Sequence, residues 1–180
     1  MAPFRRRDEA ALRGAQAGSV DDLEELFRAH WPRAYRAAYL VVRDASAAED
    51  IAQEAFLAAL RALGRFDRSK PFGPWLHRIV VNRAIDWARA RAFRREVGED
   101  ETRALPAPPA RGAAAEPLSE EVVEALAFLS PDQRAVIVLR YLLEYTPGEI
   151  ARLLGLPRGT VNSRLRRGLD ELAARLPEAR

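Results

Sequence analysis

The sequence predicts an all-α protein made of two small helical domains (a helical bundle and a helix-turn-helix) joined by a flexible Pro/Ala-rich linker. Apolar residues recur at spacings of three and four on both sides of the chain's midpoint, and no run alternates over several residues as a half-buried strand would. Val97 to Pro117 breaks this pattern. It holds Pro106, Pro108, Pro109 and Pro117 with several Ala and Gly and no aromatic residue, the composition of a linker. Charge changes sign at the same place. Residues 1–95 carry 18 Lys+Arg against 12 Asp+Glu, residues 96–121 carry 2 against 7, and residues 122–180 carry 9 against 7. Domains are therefore expected at 1–95 and 118–180, with the linker at 96–117. Two basic blocks around an acidic spacer suit a chain with two phosphate-binding surfaces.

The helices follow from their punctuation. In the first domain a helix from about Asp8 ends at Gly18, and Ser19 caps a second that turns Leu23, Leu26 and Phe27 inward. Pro32 is placed to open a new helix with Tyr35, Tyr39 and Val42 as its apolar stripe. Ser46 and Glu49 have capping-box spacing for a helix to about Leu63, which Gly64 closes. A loop from Arg65 to Gly73 leads to a long helix beginning at Pro74 and running through Trp87 into an Arg-rich end.

The second domain is more explicit. Ser119 caps a helix through Leu129. Ser130, Pro131 and Gln133 supply cap, first-turn proline and capping-box glutamine for the next, and Thr146, Pro147 and Glu149 repeat the device. That third helix stops at Gly155, and Pro157 opens a fourth with Val161, Leu165, Leu169 and Leu172 inward. A short helix, a turn containing Gly and a second amphipathic helix form a helix-turn-helix.

Composition removes several chemistries. The chain has no Cys, so disulfides, thiolate metal sites and a cysteine nucleophile are excluded, and its two His, His30 and His77, are far apart in sequence. No Glu-x-x-His, P-loop, dinucleotide fingerprint or serine elbow occurs. The expectation is a non-enzyme with no cofactor and no metal. No apolar run is long enough to span a bilayer and no signal peptide opens the chain, so a cytoplasmic protein without membrane insertion is expected.

On the fourth helix of the second domain, Thr160, Ser163, Arg166 and Arg167 lie opposite the apolar stripe, with Asn162 and Arg164 on the flanks. Arg pairs with guanine O6 and N7, Asn with adenine, and Ser, Thr and Arg grip phosphate. A solvated face of an Arg-rich hairpin would look similar. The surrounding residues favour recognition: Leu129-Ser130-Pro131 with Gln133-Arg134, Glu149-Ile150-Ala151, and Gly159-Thr160-Val161-Asn162-Ser163-Arg164-Leu165 resemble region 4 of sigma factors of the extracytoplasmic-function (ECF) class. The resemblance implies a recognition helix in the major groove of the −35 promoter element. Asn162, Ser163, Arg166 and Arg167 would contact bases or phosphates, and Arg158 and Arg164 would anchor phosphate.

The first domain gives a second signal. Asp50, Gln53, Glu54, Leu57 and Arg61 share the face opposite Ala52, Ala55, Phe56 and Leu60, an acidic stripe with an exposed Leu inside a net-basic domain. Ala48-Glu49-Asp50-Ile51-Ala52-Gln53-Glu54-Ala55-Phe56 is similar to sigma region 2.2, which implies binding to the clamp helices of the polymerase largest subunit. Phe66 to Arg95 then mixes aromatics with cations, a composition suited to single-stranded DNA. Phe66 and Phe72 are the candidate stacking platforms. Arg78, Asn82, Arg83 and Arg89 accompany them, while Trp75 and Trp87 fit the core better. Trp75-Leu76, Ile79, Asn82-Arg83 and Ile85-Asp86 resemble ECF regions 2.3 and 2.4, which implies capture of unstacked −10 bases.

By this resemblance the partners are core RNA polymerase, through the clamp helices and the flap, promoter DNA, and an anti-sigma factor. The acidic cluster Glu96, Glu99, Asp100 and Glu101 is compatible with mimicry of nucleic-acid charge inside the polymerase. The competing reading is a helix-turn-helix regulator that binds an operator without acting as a polymerase subunit. It accounts for the second domain but not for the acidic stripe followed by the aromatic-basic segment.

Overall fold

The computed structural model describes residues 3–97 and 119–176, and all regular elements among them are helical. The expected linker at 96–117 lies outside the described residues except for Glu96 and Val97, as does most of the acidic cluster. Four helices precede it, α1 (Pro3–Gln16), α2 (Val20–Val42), α3 (Ala45–Ala62) and α4 (Phe72–Glu96). Four follow it, α5 (Glu120–Ala125), α6 (Pro131–Ile137), α7 (Pro147–Leu154) and α8 (Arg158–Arg175).

α2 begins where Ser19 accepts a hydrogen bond from the Asp22 N–H at 3.3 Å, with Asp21 and Asp22 favourably placed against the helix dipole. It does not restart at Pro32. The proline lies inside one continuous helix, although it lacks an N–H and crowds the preceding turn. Packing on both sides offsets that cost. Leu26, Ala34, Ala37, Ala38 and Val41 are buried, and the rings of Phe27, Trp31, Tyr35 and Tyr39 follow one another at four-residue intervals with centroids 4.8, 6.4 and 6.5 Å apart. The helix ends at Arg43, in the left-handed region at φ 59°.

α3 is capped by Asp44 rather than by the expected Ser46. One Asp44 oxygen accepts from the Ala47 N–H at 3.0 Å, and the other takes Arg91 from α4 at 2.8 Å. A carboxylate that caps one helix and pairs with another outcompetes a hydroxyl with only the local bond. Burial pushes the Asp44 carboxyl up, but the hydrogen bonds from Ala47 and Arg91 outweigh it and hold the group below its ordinary value. After a short 3-10 turn, Leu63–Arg65, the Gln16 side-chain amide donates to the carbonyls of Leu63 at 2.8 Å and Phe66 at 3.1 Å, fixing the path into the loop.

α4 starts at Phe72, two residues before the expected Pro74, and buries Leu76, Val80, Val81, Ala84, Ile85 and Ala88 against α2 and α3. Residues buried on more than one side let it pack on α2 and α3 and also on α6 and α7 of the second half.

In the second half both expected capping boxes form. Ser130 and Gln133 exchange bonds at 3.3 and 2.9 Å, and Thr146 and Glu149 do so at 3.4 and 2.8 Å. α6 widens into a π-helical turn, Val138–Leu142, before Tyr145. α7 stops at Gly155, whose φ of 66° is costly for any residue with a Cβ, and α8 follows. Its inward positions are Val161, Leu165 and Gly168, whereas Leu169 is 38% exposed. At Gly168 the helix crosses α6 closely, and a Cβ there would lie 2.7 Å from Ile137 Cδ1. Gly168→Val is accordingly expected to lower stability by about 1–3 kcal/mol through overpacking, read as a lower urea midpoint.

The two groups of helices meet along a seam where α6 lies on α2 and α4, and α7 also touches α4.

Candidate nucleic-acid interface

α8 displays its polar face because its apolar stripe is fixed to α6 and α7. Arg158, Asn162, Arg166 and Arg167 are exposed, and Thr160, Ser163 and Arg164 are half-buried. Ser163 donates its hydroxyl to the Thr160 carbonyl at 2.9 Å, which leaves its oxygen lone pairs as acceptors for an outside donor. Among the described residues no ion pair engages Arg158, Arg166 or Arg167. Arg164 differs: its guanidinium lies 3.1 Å from Asp132 at the start of α6. Unpaired guanidinium groups spaced along one helix face are an arrangement that phosphates and base edges can satisfy.

The face of α3 collects Asp50, Gln53, Glu54, Leu57 and Arg61, all exposed. Leu60 and Phe27, both expected inward, are also open at 42% and 41%. Phe27 lies against Phe56, with ring centroids 4.9 Å apart, and remains partly open to solvent rather than entering the core. This surface is therefore more apolar than the stripe read from the sequence, with carboxylates beside three large hydrophobic side chains. Glu54 pairs with Arg83 of α4 at 2.7 Å, so one acidic residue of this face and one cation of the next surface share a contact.

The loop before α4 places its aromatic residues unequally. Phe66 is half-buried with its ring 4.5 Å from that of Trp75, also half-buried. Phe72, expected as a stacking platform, is 2% exposed. Because α4 already begins at this residue, its ring turns inward onto His30, Phe66 and Trp75, with centroids 5.1, 6.0 and 5.7 Å away. Phe72 is thus a core residue, and the open aromatic edge consists of Phe66 and Trp75. Arg78 is exposed and Asn82 half-buried. Arg89 is turned to Asp132, donating from Nη2 at 2.6 Å and from Nε at 3.3 Å.

The seam contains contacts that the sequence does not show. Tyr145 and His77 meet at 2.8 Å between the hydroxyl and Nδ1. Burial raises the Tyr145 phenol above its ordinary value. The same burial, then His30 and Arg33, pushes His77 down to about 3, so a neutral imidazole accepts from a protonated phenol. Arg134 is likewise desolvated by burial and then repelled by Arg43 and Arg95, which lowers it to about 10 and leaves it charged at neutral pH. His77 Nε2, Arg43 Nη1 and Arg134 Nε are buried without a hydrogen-bond partner.

Comparison with known proteins identifies the family of both halves of the chain. Residues 26–94 match the family model for Sigma-70 region 2, and residues 119–172 match that for Sigma-70, region 4. The RNA polymerase sigma factor CarQ of Myxococcus xanthus is 33% identical over 89% of this chain and 92% of its own. The ECF RNA polymerase sigma factor SigM of Mycobacterium tuberculosis is 36% identical over 93% of this chain and 84% of its own. Among solved structures, CnrH in complex with the cytosolic domain of CnrY superposes with a TM-score of 0.69 at 27% identity, covering 97% of this chain and 99% of that one.

Proposed function

The chain belongs to the ECF class of the sigma-70 family, and we propose from that premise how its surfaces divide the work of promoter recognition. It binds core RNA polymerase and directs promoter-specific initiation, while the chemistry of RNA synthesis stays with the polymerase. Its partners are the polymerase, promoter DNA and an anti-sigma factor. No described helix is long and apolar enough to cross a membrane.

The division of labour rests on one observation above all: the polar face of α8, held outward by Val161, Leu165 and Gly168, leaves Arg158, Arg166 and Arg167 without an ion-pair partner among the described residues. In our reading residues 118–180 recognise the −35 element through Asn162, Ser163, Arg166 and Arg167, with Arg158 and Arg164 on phosphates. Residues 1–95 do two jobs. Asp50, Gln53, Glu54, Leu57 and Arg61 meet the clamp helices, and Phe66 with Arg78, Asn82, Arg83 and Arg89 receives the melted −10 strand. Residues 96–117 connect the two.

Transcription with core polymerase on a library of randomised promoters tests the whole reading, because only a sigma factor enriches a bipartite motif among the transcripts. Within it, Arg167→Ala should relax preference at one or two adjacent −35 positions, by about 1–3 kcal/mol for a lost bidentate pair. Arg158→Ala should weaken all promoters alike and flatten the salt dependence. An Arg167→Ala protein that selects the wild-type motif with merely lower yield makes Arg167 a phosphate anchor instead.

A further inference from the structure

We propose that Asp132 is an intramolecular latch whose carboxylate occupies Arg89 and Arg164, one cation from each DNA-facing surface, and holds the two domains closed until DNA phosphate replaces it. The proposal rests on the promoter-recognition reading above and adds to it a state of the free protein.

The geometry is that of a shared anion. Arg89 of α4 approaches with a two-pronged fork, Nη2 to Oδ1 at 2.6 Å and Nε to Oδ2 at 3.3 Å, and Arg164 of α8 reaches the same Oδ1 at 3.1 Å. Asp132 and Arg164 are mostly shielded from water, so the contact is screened less than an open surface pair. The carboxylate belongs to the first turn of α6, where the helix dipole favours negative charge and the Ser130 capping box fixes the backbone. A guanidinium fork donates to carboxylate and to phosphate with the same bidentate geometry. Neither arginine can grip DNA phosphate through the groups Asp132 holds, and a phosphate that takes them removes an ionic link between α4 and α6.

The rest of the seam keeps the closed state from being deep. His77 and Tyr145 form a neutral hydrogen bond across it, but His77 Nε2, Arg43 Nη1 and Arg134 Nε find no partner there. Arg134 also faces Arg43 and Arg95, so like charges are brought together on closing. Apolar contact, the His77–Tyr145 bond and the Arg89–Asp132 pair therefore work against desolvated polar atoms without partners, which is the balance a reversible closure needs. Asp132 is the component that a nucleic acid competes with directly.

The test uses the full chain and the substitution Asp132→Asn, which keeps shape and removes charge. Because the protein has no Cys, Glu9→Cys and Ala174→Cys, at exposed sites of α1 and α8, provide a dye pair for energy transfer between the domains. Asp132→Asn is expected to lower transfer in the free protein. It should also raise affinity for a short duplex of arbitrary sequence several-fold, with the slope of log affinity against log salt nearly unchanged, because the same two cations meet phosphate in both complexes. Glu171→Gln removes an equal charge from α8, where Glu171 pairs within its own helix with Arg175. It should leave energy transfer as it was.

Unchanged transfer in Asp132→Asn overturns the latch, as does a Glu171→Gln protein that matches Asp132→Asn, since the effect is then one of net charge. Promoter-dependent transcription by the wild-type chain with core polymerase, run on the same preparations, separates the outcomes. Its loss defeats the function proposed above, whereas intact transcription with unchanged transfer defeats the latch alone.

Discussion

Replacing Asp50 and Glu54 together by Ala is expected to weaken association with core polymerase by about 2–5 kcal/mol, at least some thirty-fold, while the fold and duplex-DNA affinity are kept. The size of the effect comes from what each state asks of the carboxylates. In the free protein both are exposed, and the ion pair Glu54 makes with Arg83 is itself open to water; such a pair contributes at most about 1 kcal/mol to folding. Against the polymerase they would be desolvated beside Leu57, Leu60 and Phe27, where a cationic partner left without its carboxylate keeps the cost of burial and loses the compensation. Stability and affinity should therefore separate. Competition against labelled wild-type protein for core polymerase measures the affinity, and circular dichroism with a urea titration measures the fold. An undiminished affinity would remove α3 from the polymerase interface.

How much of this was legible in the sequence depended on how local the determining interactions are. Ser130 with Gln133, Thr146 with Glu149, and Gly155 followed by Pro157 act within one turn, and the structure realises each of them. The errors in the first domain came where a distant residue decides. Asp44 displaced Ser46 as cap because Arg91, forty-seven residues away, holds its second oxygen. Pro32 failed to break α2 because the stripe from Leu26 to Val41 packs on both sides of it. Spacing alone points Phe27 and Leu60 inward, but spacing gives the direction of a side chain and not whether a neighbouring helix covers it.

The site divided along the same line. The outward face of α8 and the stripe on α3 could be read as helix faces, since periodicity specifies a face. The seam could not. Asp132 looks like an ordinary acidic residue in a helix's first turn until Arg89 and Arg164 come to it from separate elements, and nothing around His77 or Tyr145 in the sequence pairs them.

Phe72→Ala and Phe66→Ala are expected to fail in different ways, the first by about 3–5 kcal/mol of stability and the second by about 1–3 kcal/mol of promoter opening. Phe72 is enclosed by His30, Phe66 and Trp75 at the point where α4 starts, so truncating it leaves a cavity at the junction of α2, the loop and α4. The loss should appear as a lower urea midpoint without DNA, and any transcription defect should scale with the unfolded fraction. Phe66 keeps one side open beside Trp75, and its truncation removes surface on which an unstacked base can lie. Stacking of that kind operates only after the bases separate. Phe66→Ala should therefore slow opening on a duplex template, seen as reduced permanganate reactivity of −10 thymines, with closed-complex formation nearly unchanged. If the platform acts by stabilising the melted state, a pre-melted template should restore much of the activity for Phe66→Ala and none of the stability for Phe72→Ala. Equal defects of Phe66→Ala on duplex and pre-melted templates would show that its ring only supports the Trp75 cluster. The open-strand contact would then lie with Arg78, Asn82 and the freed Arg89.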